Sequence, residues 1–376
     1  MKSDIILIIL TVICSLTYLR YLLQFKKGLI QRDENLNSTR ETVSVIVAAR
    51  NEEKNIHQLL TALVNQSYSK NLYEIIIADD RSVDGTADIV NHFATKWDNV
   101  KLIRIAETAV NISPKKNALD LAIKASKNDI ILLTDADCIP GKYWIESMIA
   151  TYSAETAMVA GFSSTRIMDW EKASCCQKFE NMDFIIMFLA AAGAISAGKY
   201  FSCSGQNLSY RRKAFDQVEG FAKIKHYVSG DDVNLMQLMR RKGFKIKFAF
   251  NKHSFVKTKS AASWIKLLNQ RTRWASNLKW QLNLNPEFFV YLAIVFCNTF
   301  LPLVLLFRIW YLGLGIILVR MLFEYEFLKL GFEIFQLKKN KLKFYPIWLI
   351  MQPIYILLVT ILGIFGFFKW KNRLTG

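Results

Sequence analysis

Residues 129–137 read DIILLTDAD, a short apolar run that ends in two aspartates two positions apart. A run of this length, bounded by polar residues, predicts a strand that is buried on both faces of a sheet. Three further runs of this kind lie upstream, at residues 42–49 (TVSVIVAA), 73–78 (YEIIIA) and 100–105. All of them are rich in branched apolar side chains, which pack well on a pleated surface.

Segments with helical periodicity separate these four strands. The first helix includes residues 55–66, and Asn51 is placed to cap it. The other two helices occupy residues 84–97 and 115–125. Strands that alternate with helices predict βαβ units, and therefore an α/β fold with a mostly parallel sheet. The chain contains neither G-x-G-x-x-G after its first strand nor G-x-x-x-x-G-K-[ST], which argues against a dinucleotide-binding or P-loop protein.

Acidic residues follow two of the predicted strands. Asp79 and Asp80 end the second strand, and Asp135 and Asp137 follow the fourth. Ligands of parallel α/β sheets bind at the carboxyl ends of the strands. Residues two apart in extended backbone project to the same side. We therefore expect Asp135 and Asp137 to hold Mg²⁺ or Mn²⁺ against a diphosphate.

Both ends of the chain are apolar. Residues 5–19 contain no charge and, with their flanks, approach the ~20 apolar residues that span a bilayer. Basic residues follow this run and no A-x-A-like site does, which favours an uncleaved anchor over residues 1–27 rather than a signal peptide. The positive-inside rule then places the rest of the soluble chain in the cytoplasm. We expect an integral protein of the cell's inner (plasma) membrane.

The C-terminal third predicts a membrane region at residues 286–376. Residues 287–307 and 346–368 read as spanning helices, whereas residues 309–335 carry five charges and are compatible with crossing the membrane, re-entering it or lying on its surface. The side of the C-terminus stays open for that reason. Residues 184–198 are apolar but too short to span, and predict a buried helix or an element at the membrane interface.

The charge of the chain is unevenly distributed. The 376 residues have a net charge of +18 and are 52% hydrophobic, which excludes a disordered chain. Residues 41–150 carry 12 Lys and Arg against 15 Asp and Glu, whereas residues 199–279 carry 18 against 4. No helix-turn-helix, zinc or RRM motif accompanies the basic block, so we expect it to face anionic headgroups and a diphosphate, not nucleic acid. The six cysteines contain no C-x-x-C pair and predict free thiols.

Seven motifs, in order along residues 43–281, resemble the membrane-bound inverting glycosyltransferases of family 2. They are VSVIVAARNEE (43–53), IIADDRSVDGT (76–86), PKKNAL (114–119), LLTDAD (132–137), CSGQNLSYRR (203–212), GDDVNL (230–235) and QRTRW (270–274). The resemblance implies a GT-A nucleotide-sugar domain with a mostly parallel central sheet at residues 40–283, with transmembrane helices on either side.

The resemblance implies a donor site at the first strands. It assigns nucleotide-sugar binding to six residues: Ala48, Arg50, Glu52, Asp80, Lys115 and Asp135. Lys115 can pair with the diphosphate as a point charge. Pro114 stands where the family has glycine, and Lys116 is expected in solvent. In this pattern Asp135 and Asp137 also hold the divalent cation, Mg²⁺ or Mn²⁺.

The resemblance implies a general base at GDDVNL. Asp232 matches the acid that deprotonates the acceptor hydroxyl, and Asp231 stands beside it where the family often has Glu. Such catalysis contributes roughly 10²–10⁴-fold in rate. The competing interpretation is a pair of helix N-terminal acids that the helix dipole stabilises.

The resemblance implies that two segments bind the acceptor and the diphosphate. The first is the loop of Gly205, Gln206 and Asn207; the second contains Gln270, Arg273 and Trp274, which share one face of a helix. Arg273 can meet the diphosphate bidentately, and Trp274 can stack on a sugar. An amphipathic surface helix is the other interpretation of the second segment.

The expected activity is the transfer of one sugar, from a nucleotide-diphosphate sugar that we expect to be UDP-linked, to a hydroxyl of a lipid or lipid-linked acceptor. The alternative is a processive polysaccharide synthase. The sequence leaves the sugar, the acceptor and the oligomeric state open.

Overall fold

The computed structural model describes residues 2–33, 40–107, 112–227, 229–366, 369–370 and 373–374. The chain forms two compact units. The sheet unit comprises Asp33–Met168 and Ser202–Ser260, and the helical unit comprises Met1–Arg32, Asp169–Phe201 and Ala261–Gly376.

The strands and helices follow one another along the chain with short connections. The strands are β1 (Val43–Ala49), β2 (Tyr73–Asp79), β3 (Val100–Arg104), β4 (Ile130–Leu133), β5 (Cys138–Pro140), β6 (Thr156–Gly161), β7 (Ser163–Arg166), β8 (Leu208–Arg211), β9 (Lys245–Ala249), β10 (Val256–Lys259), β11 (Lys369–Trp370) and β12 (Arg373–Leu374). The helices are α1 (Lys2–Ile30), α2 (Glu53–Val64), α3 (Thr86–Ala94), α4 (Pro114–Ala125), α5 (Trp144–Ile149), α6 (Cys175–Ser196), α7 (Arg212–Gln217), α8 (Val233–Arg241), α9 (Trp264–Ala275), α10 (Leu278–Leu284), α11 (Pro286–Arg308), α12 (Trp310–Ile334) and α13 (Tyr345–Ile364).

The predicted α/β fold with a mostly parallel sheet is confirmed. Within the described residues, the main sheet has seven strands in the order β3-β2-β1-β4-β8-β6-β9. Strands β1 to β4 pair in parallel, whereas β8 runs antiparallel to both of its neighbours. The chain leaves β1 towards β2 and β3 on one side and returns to β4 on the other. The strand order therefore reverses between β1 and β4, which is where α/β sheets bind ligands.

The core of the sheet unit lies between this sheet and helix α2. Val45 and Val47 of β1 are fully buried against Leu59 and Leu63 of α2 in one apolar cluster. One local expectation was wrong: α2 begins at Glu53 with Glu52 as its N-cap, not Asn51. Asn51 instead has φ 53°, a left-handed conformation that Asn tolerates better than most residues.

Among the described residues of the helical unit, four helical segments are long and apolar enough to cross a membrane. They are Lys2–Ile30, Cys175–Ser196, Pro286–Arg308 and Lys339–Ile364. The second corrects an expectation, because residues 184–198 are not a short separate segment. Most of them belong to α6, a 22-residue helix that begins at a Ser174–Gln177 capping box. The last two residues of the predicted span 346–368 lie outside the described residues.

Residues 310–334 form one continuous helix, α12. Arg320 and Glu324 of this helix are buried in the helical unit, whereas its Glu326, Lys329 and Glu333 are exposed. Arg320 donates to Glu324 Oε1 (2.8 Å) and to Gln352 Oε1 (2.8 Å). Glu324 accepts further hydrogen bonds from the hydroxyls of Tyr18 and Tyr345. A buried ion pair is tolerated when hydrogen bonds satisfy its remaining polar atoms, as they do here.

Candidate active site

The carboxyl ends of β1 and β2 bring Arg50 and Asp80 together. Arg50 Nη1 lies 3.2 Å from Asp80 Oδ2, and Arg81 Nη2 lies 2.7 Å from Asp80 Oδ1. Asp80 is buried, so two guanidinium groups compensate its charge. Ala48, the next-to-last residue of β1, is half-buried beside this pair in sequence.

Two non-glycine residues in this region have left-handed backbone, Asn51 (φ 53°) and Arg81 (φ 57°). The loops that contain them bind each other: Val83 N donates to Asn51 Oδ1 (2.9 Å) and Asn51 N donates to Ser82 Oγ (2.9 Å). Such conformations cost of order 1–3 kcal/mol each and concentrate at functional sites. These hydrogen bonds hold the strained turns next to Arg50 and Asp80.

Glu52 and Asp79 have local structural partners in the same loops. Glu52 N donates to Thr86 Oγ1 (2.8 Å), and its carboxylate accepts from Asn55 Nδ2 (2.7 Å). Asp79 Oδ1 accepts from Ser82 N (3.3 Å), as expected for a turn cap. The role of Glu52 in nucleotide binding stays a prediction.

Lys115 connects the two groups of acids that the sequence singled out. Its Nζ atom lies 3.0 Å from Asp135 Oδ1 and 3.2 Å from Asp231 Oδ2. Burial alone would lower the pKa of Lys115, but the charges of Asp135, Asp231 and Asp232 raise it overall. Pro114, which departs from the family's glycine, occupies the first turn of α4, where proline is well suited.

The expectation that Lys116 lies in solvent was wrong. It is fully buried, not solvated, and its ammonium group donates to the carbonyl oxygens of Tyr227 and Ser229 (3.1 Å to the latter). Burial lowers the pKa of Lys116 to about 8. Nothing in the neighbouring sequence indicates that Lys116 is buried, because the carbonyl groups that bind it lie more than 100 residues away.

The start of α4 contacts every second residue of the segment that leads to the predicted base. Ser113 N donates to Lys225 O (3.0 Å), Lys116 binds residues 227 and 229, and Lys115 binds Asp231. Asp231 thus contacts α4 directly. A Cβ atom built on Gly205 would lie 3.4 Å from Asp231 Oδ2 and 3.7 Å from Asp232 Oδ2, so both acids border the Gly205 loop.

Asp232 faces the predicted acceptor loop. Its Oδ2 accepts from Gly205 N (2.8 Å), and its Oδ1 accepts from Val233 N (2.7 Å) as the N-cap of α8. Burial and then the charge of Asp231 raise the pKa of Asp232, whereas Lys115 and Lys116 outweigh burial and lower the pKa of Asp231. The two neighbouring acids thus differ in protonation behaviour, as acids with separate roles do.

The loop of Gly205, Gln206 and Asn207 contains a buried acceptor that makes no hydrogen bond within the described residues. Gln206 is buried, and its Oε1 has no hydrogen-bond partner among the described residues. Asn207 Nδ2 donates to two backbone carbonyls, of Phe162 (2.9 Å) and Ser254 (2.8 Å). Asn207 thus anchors the loop, and contact with an acceptor stays a prediction for all three residues.

The donor set at Asp135 and Asp137 fits a divalent cation. Both are half-buried carboxylates at the carboxyl end of β4, and hard oxygen donors are what Mg²⁺ and Mn²⁺ prefer. In the part of the chain that the structure describes, no group of three or more His, Cys, Asp or Glu is arranged to hold a metal. Two carboxylates suit an ion that completes its coordination with water and diphosphate oxygens.

Helix α9 of the helical unit carries Gln270, Arg273 and Trp274, all half-buried. Arg271 of the same helix was not among the predicted site residues, although it is buried. It lies 2.9 Å from Asp183 Oδ2 and donates to Tyr355 Oη (3.1 Å). The guanidinium of Arg271 also stacks over Trp274, 4.2 Å from the ring centre. The presence of Asp183 in the apolar sequence of α6 could have indicated a buried cation nearby, because a buried acid needs a counter-ion.

Part of the chain resembles known proteins in sequence. The family model described as Glycosyl transferase family 2 matches residues 44–219. A probable glycosyltransferase of Bacillus subtilis, YdaM, is 28% identical over 257 residues, which cover 68% of this chain and 59% of that protein. A beta-monoglucosyldiacylglycerol synthase of Nostoc sp. is 26% identical over 237 residues, covering 62% of this chain and 48% of that protein. The match thus spans about half to three fifths of these relatives.

The fold is also that of a solved structure. A mannosyltransferase from Pyrobaculum calidifontis, in complex with GDP-Man and Mn²⁺, superposes with a TM-score of 0.62 at 17% identity. The superposition covers 95% of this chain and 98% of that one, so the similarity of fold extends beyond the matched family region. Residues 44–219 therefore match the glycosyl transferase family 2 model, and the chain has the α/β GT-A fold.

Proposed function

We propose that this protein transfers one sugar, with inversion, from a UDP-sugar to a hydroxyl of a lipid or lipid-linked acceptor. The observation that carries the proposal is the contact of Lys115 with both Asp135 and Asp231. One lysine thus joins the residues proposed for the leaving diphosphate to the pair that contains the proposed base.

Asp232 is the general base of this proposal. It takes the proton of the acceptor hydroxyl as the oxygen attacks the anomeric carbon and the bond to the diphosphate breaks. The nucleoside diphosphate leaves with the bonding electrons, so a single displacement gives one inversion. A carboxylate has about four acceptor sites, and the two backbone N–H groups on Asp232 leave room for a hydroxyl.

The donor lies, in this proposal, at the carboxyl ends of β1, β2 and β4. Ala48, Arg50, Glu52 and Asp80 bind the nucleoside, and Lys115 binds the diphosphate. Asp135 and Asp137 would hold Mg²⁺ or Mn²⁺, and the ion would supply positive charge to neutralise the departing diphosphate. The mannosyltransferase of similar fold binds GDP-Man and Mn²⁺, which supports a nucleotide-sugar donor and a divalent cation for this chain as well.

The acceptor is proposed to be a membrane lipid. The support is the name of the Nostoc relative, a beta-monoglucosyldiacylglycerol synthase, together with the four membrane-compatible helical segments. Gly205, Gln206 and Asn207 form the acceptor loop, and Gln270, Arg273 and Trp274 are proposed to bind acceptor and diphosphate. The catalytic domain would lie on the cytoplasmic side of the plasma membrane.

One experiment tests the proposal directly. The purified full-length protein, reconstituted with a total membrane-lipid extract, is incubated with a panel of UDP- and GDP-sugars and Mn²⁺, and the lipids are analysed by mass spectrometry. We expect a lipid one sugar heavier with the wild type and none with Asp232→Asn. A ladder of products would favour the processive synthase, and a product with GDP-sugars alone would overturn the UDP assignment.

A further inference from the structure

The helical unit contains an open groove between α1 and α12 with a volume of about 430 Å³. Seven residues line it: Leu16, Leu19, Arg20, Leu23, Gln24, Lys27 and Phe323. Six of the seven come from α1 at helical spacing, so they form one face of that helix.

The lining is ordered from apolar to cationic along α1. Leu16 and Leu19 lie towards the N-terminus, whereas Arg20, Gln24 and Lys27 lie towards the C-terminal end. At 1.5 Å per residue, Leu16 lies about 12 Å from Gln24 along the axis. That distance is close to half of the hydrocarbon core, which is about 30 Å thick. The groove thus has the depth of one lipid leaflet.

Neither cation of the groove forms an ion pair within the part of the chain that the structure describes. Arg20 and Lys27 are both exposed, and no acidic side chain of the described residues forms an ion pair with either. Arg320 on α12 shows the contrast, because Glu324 and Gln352 bind it inside the unit. An arginine within a membrane helix normally pairs with an anionic or polar group. None of the described acidic side chains pairs with Arg20.

We propose that this groove binds an anionic glycerophospholipid. Its phosphate would lie at the level of Gln24, about one helical turn from both Arg20 and Lys27. The side chain of Lys27 leans back towards Gln24, because helical side chains tilt towards the N-terminus. One acyl chain would follow Leu23, Leu19 and Leu16, with Phe323 of α12 as the opposite wall. This site is independent of the proposed sugar transfer.

Native mass spectrometry of the full-length protein tests the proposal. The protein is reconstituted in nanodiscs of phosphatidylglycerol and phosphatidylcholine in equal amounts, released, and its retained lipids are identified. We expect wild type to retain phosphatidylglycerol in preference, and Arg20→Gln/Lys27→Gln to reduce that preference about 30-fold, since each of the two basic residues contributes about 1 kcal/mol near a charged membrane. Lys2→Gln/Arg308→Gln, which removes two exposed cations outside the groove, should retain it.

Two outcomes would overturn the site. One is equal retention of both lipids by the wild type, and the other is an unchanged preference in the groove double variant. If the double variant does not fold, Leu19→Trp, which fills the groove and keeps both charges, should displace the bound lipid in its place.

Discussion

The ammonium group of Lys115 lies 3.2 Å from Asp231 Oδ2, although the two residues are 116 positions apart. The same group reaches Asp135 at 3.0 Å. A single cation therefore balances an acid at the carboxyl end of β4 and an acid at the start of α8. In the proposed function, this is the cation that binds the diphosphate.

Replacement of Lys115 by Met should weaken both donor binding and stability. Removing one partner of a buried ion pair lowers the free energy of unfolding by about 3–5 kcal/mol. The side chains of Lys115 and Asp135 are partly exposed, so we expect a loss of about 3 kcal/mol or less here. Lys115→Arg keeps the charge and should lose less. Donor titration and thermal unfolding of both variants measure this. Equal donor affinity in Lys115→Met and the wild type would contradict the diphosphate role.

Asp232→Asn should reduce kcat by about 10²–10⁴-fold while the protein stays folded. Asp216→Asn, at an exposed acid on α7, is the matched control and should keep full activity. The raised pKa of Asp232 also predicts a pH dependence. The base is active when deprotonated, so activity should fall as pH decreases, and should do so at a higher pH than an ordinary Asp would give. Turnover within about tenfold of wild type would exclude Asp232 as the base.

Lys116 should make stability depend on pH in the alkaline range. Its pKa is about 8 in the folded protein and 10.5 when unperturbed, so between these values the unfolded chain binds more protons. Stability from this group therefore rises with pH across that window, by about 1.4 kcal/mol per pKa unit of difference. Lys116→Met removes this contribution.

The measurement is the difference in Tm between wild type and Lys116→Met from pH 7 to 10. The difference should move in favour of the wild type as pH rises. Lys124→Met, at an exposed lysine of the same helix, should give a curve parallel to that of the wild type. A parallel curve for Lys116→Met as well would show that the buried lysine does not titrate in this range.

Removal of divalent cations should abolish sugar transfer. Asp135 and Asp137 supply only two carboxylates, so the ion should be exchangeable and EDTA should remove it. Activity should return on addition of Mn²⁺ or Mg²⁺, and Asp137→Asn should raise the concentration of cation required. Full activity after exhaustive EDTA treatment would refute the metal role of this pair.

The two arginines of QRTRW should behave differently. Arg271→Leu leaves Asp183 buried without its cation and should lower the free energy of unfolding by about 3–5 kcal/mol. Arg273→Leu should reduce activity with little change in Tm, because Arg273 is only half-buried. Thermal unfolding and initial rates of both variants separate these effects. A larger loss of stability in Arg273→Leu than in Arg271→Leu would reverse the assignment.

The local pattern of the sequence was enough to predict the order of elements and the parallel strands. Runs such as residues 73–78 and 130–134 are buried on both faces, as their apolar composition predicts. The position of Asp80 and Asp135 after such strands follows from the same pattern. These features depend on neighbours a few residues away, which is why they can be read without a structure.

Contacts between distant segments were decided only by the tertiary structure. Lys116 is buried because the carbonyls of residues 227 and 229 fold over it, and Arg271 is buried because Asp183 lies on another helix. In each case the partner lies more than 80 residues away. The same residue type is solvated or buried according to whether such a partner compensates the cost of removing its charge from water. The sequence determined which residues carry the charge, and the packing of distant elements determined which of those charges are enclosed.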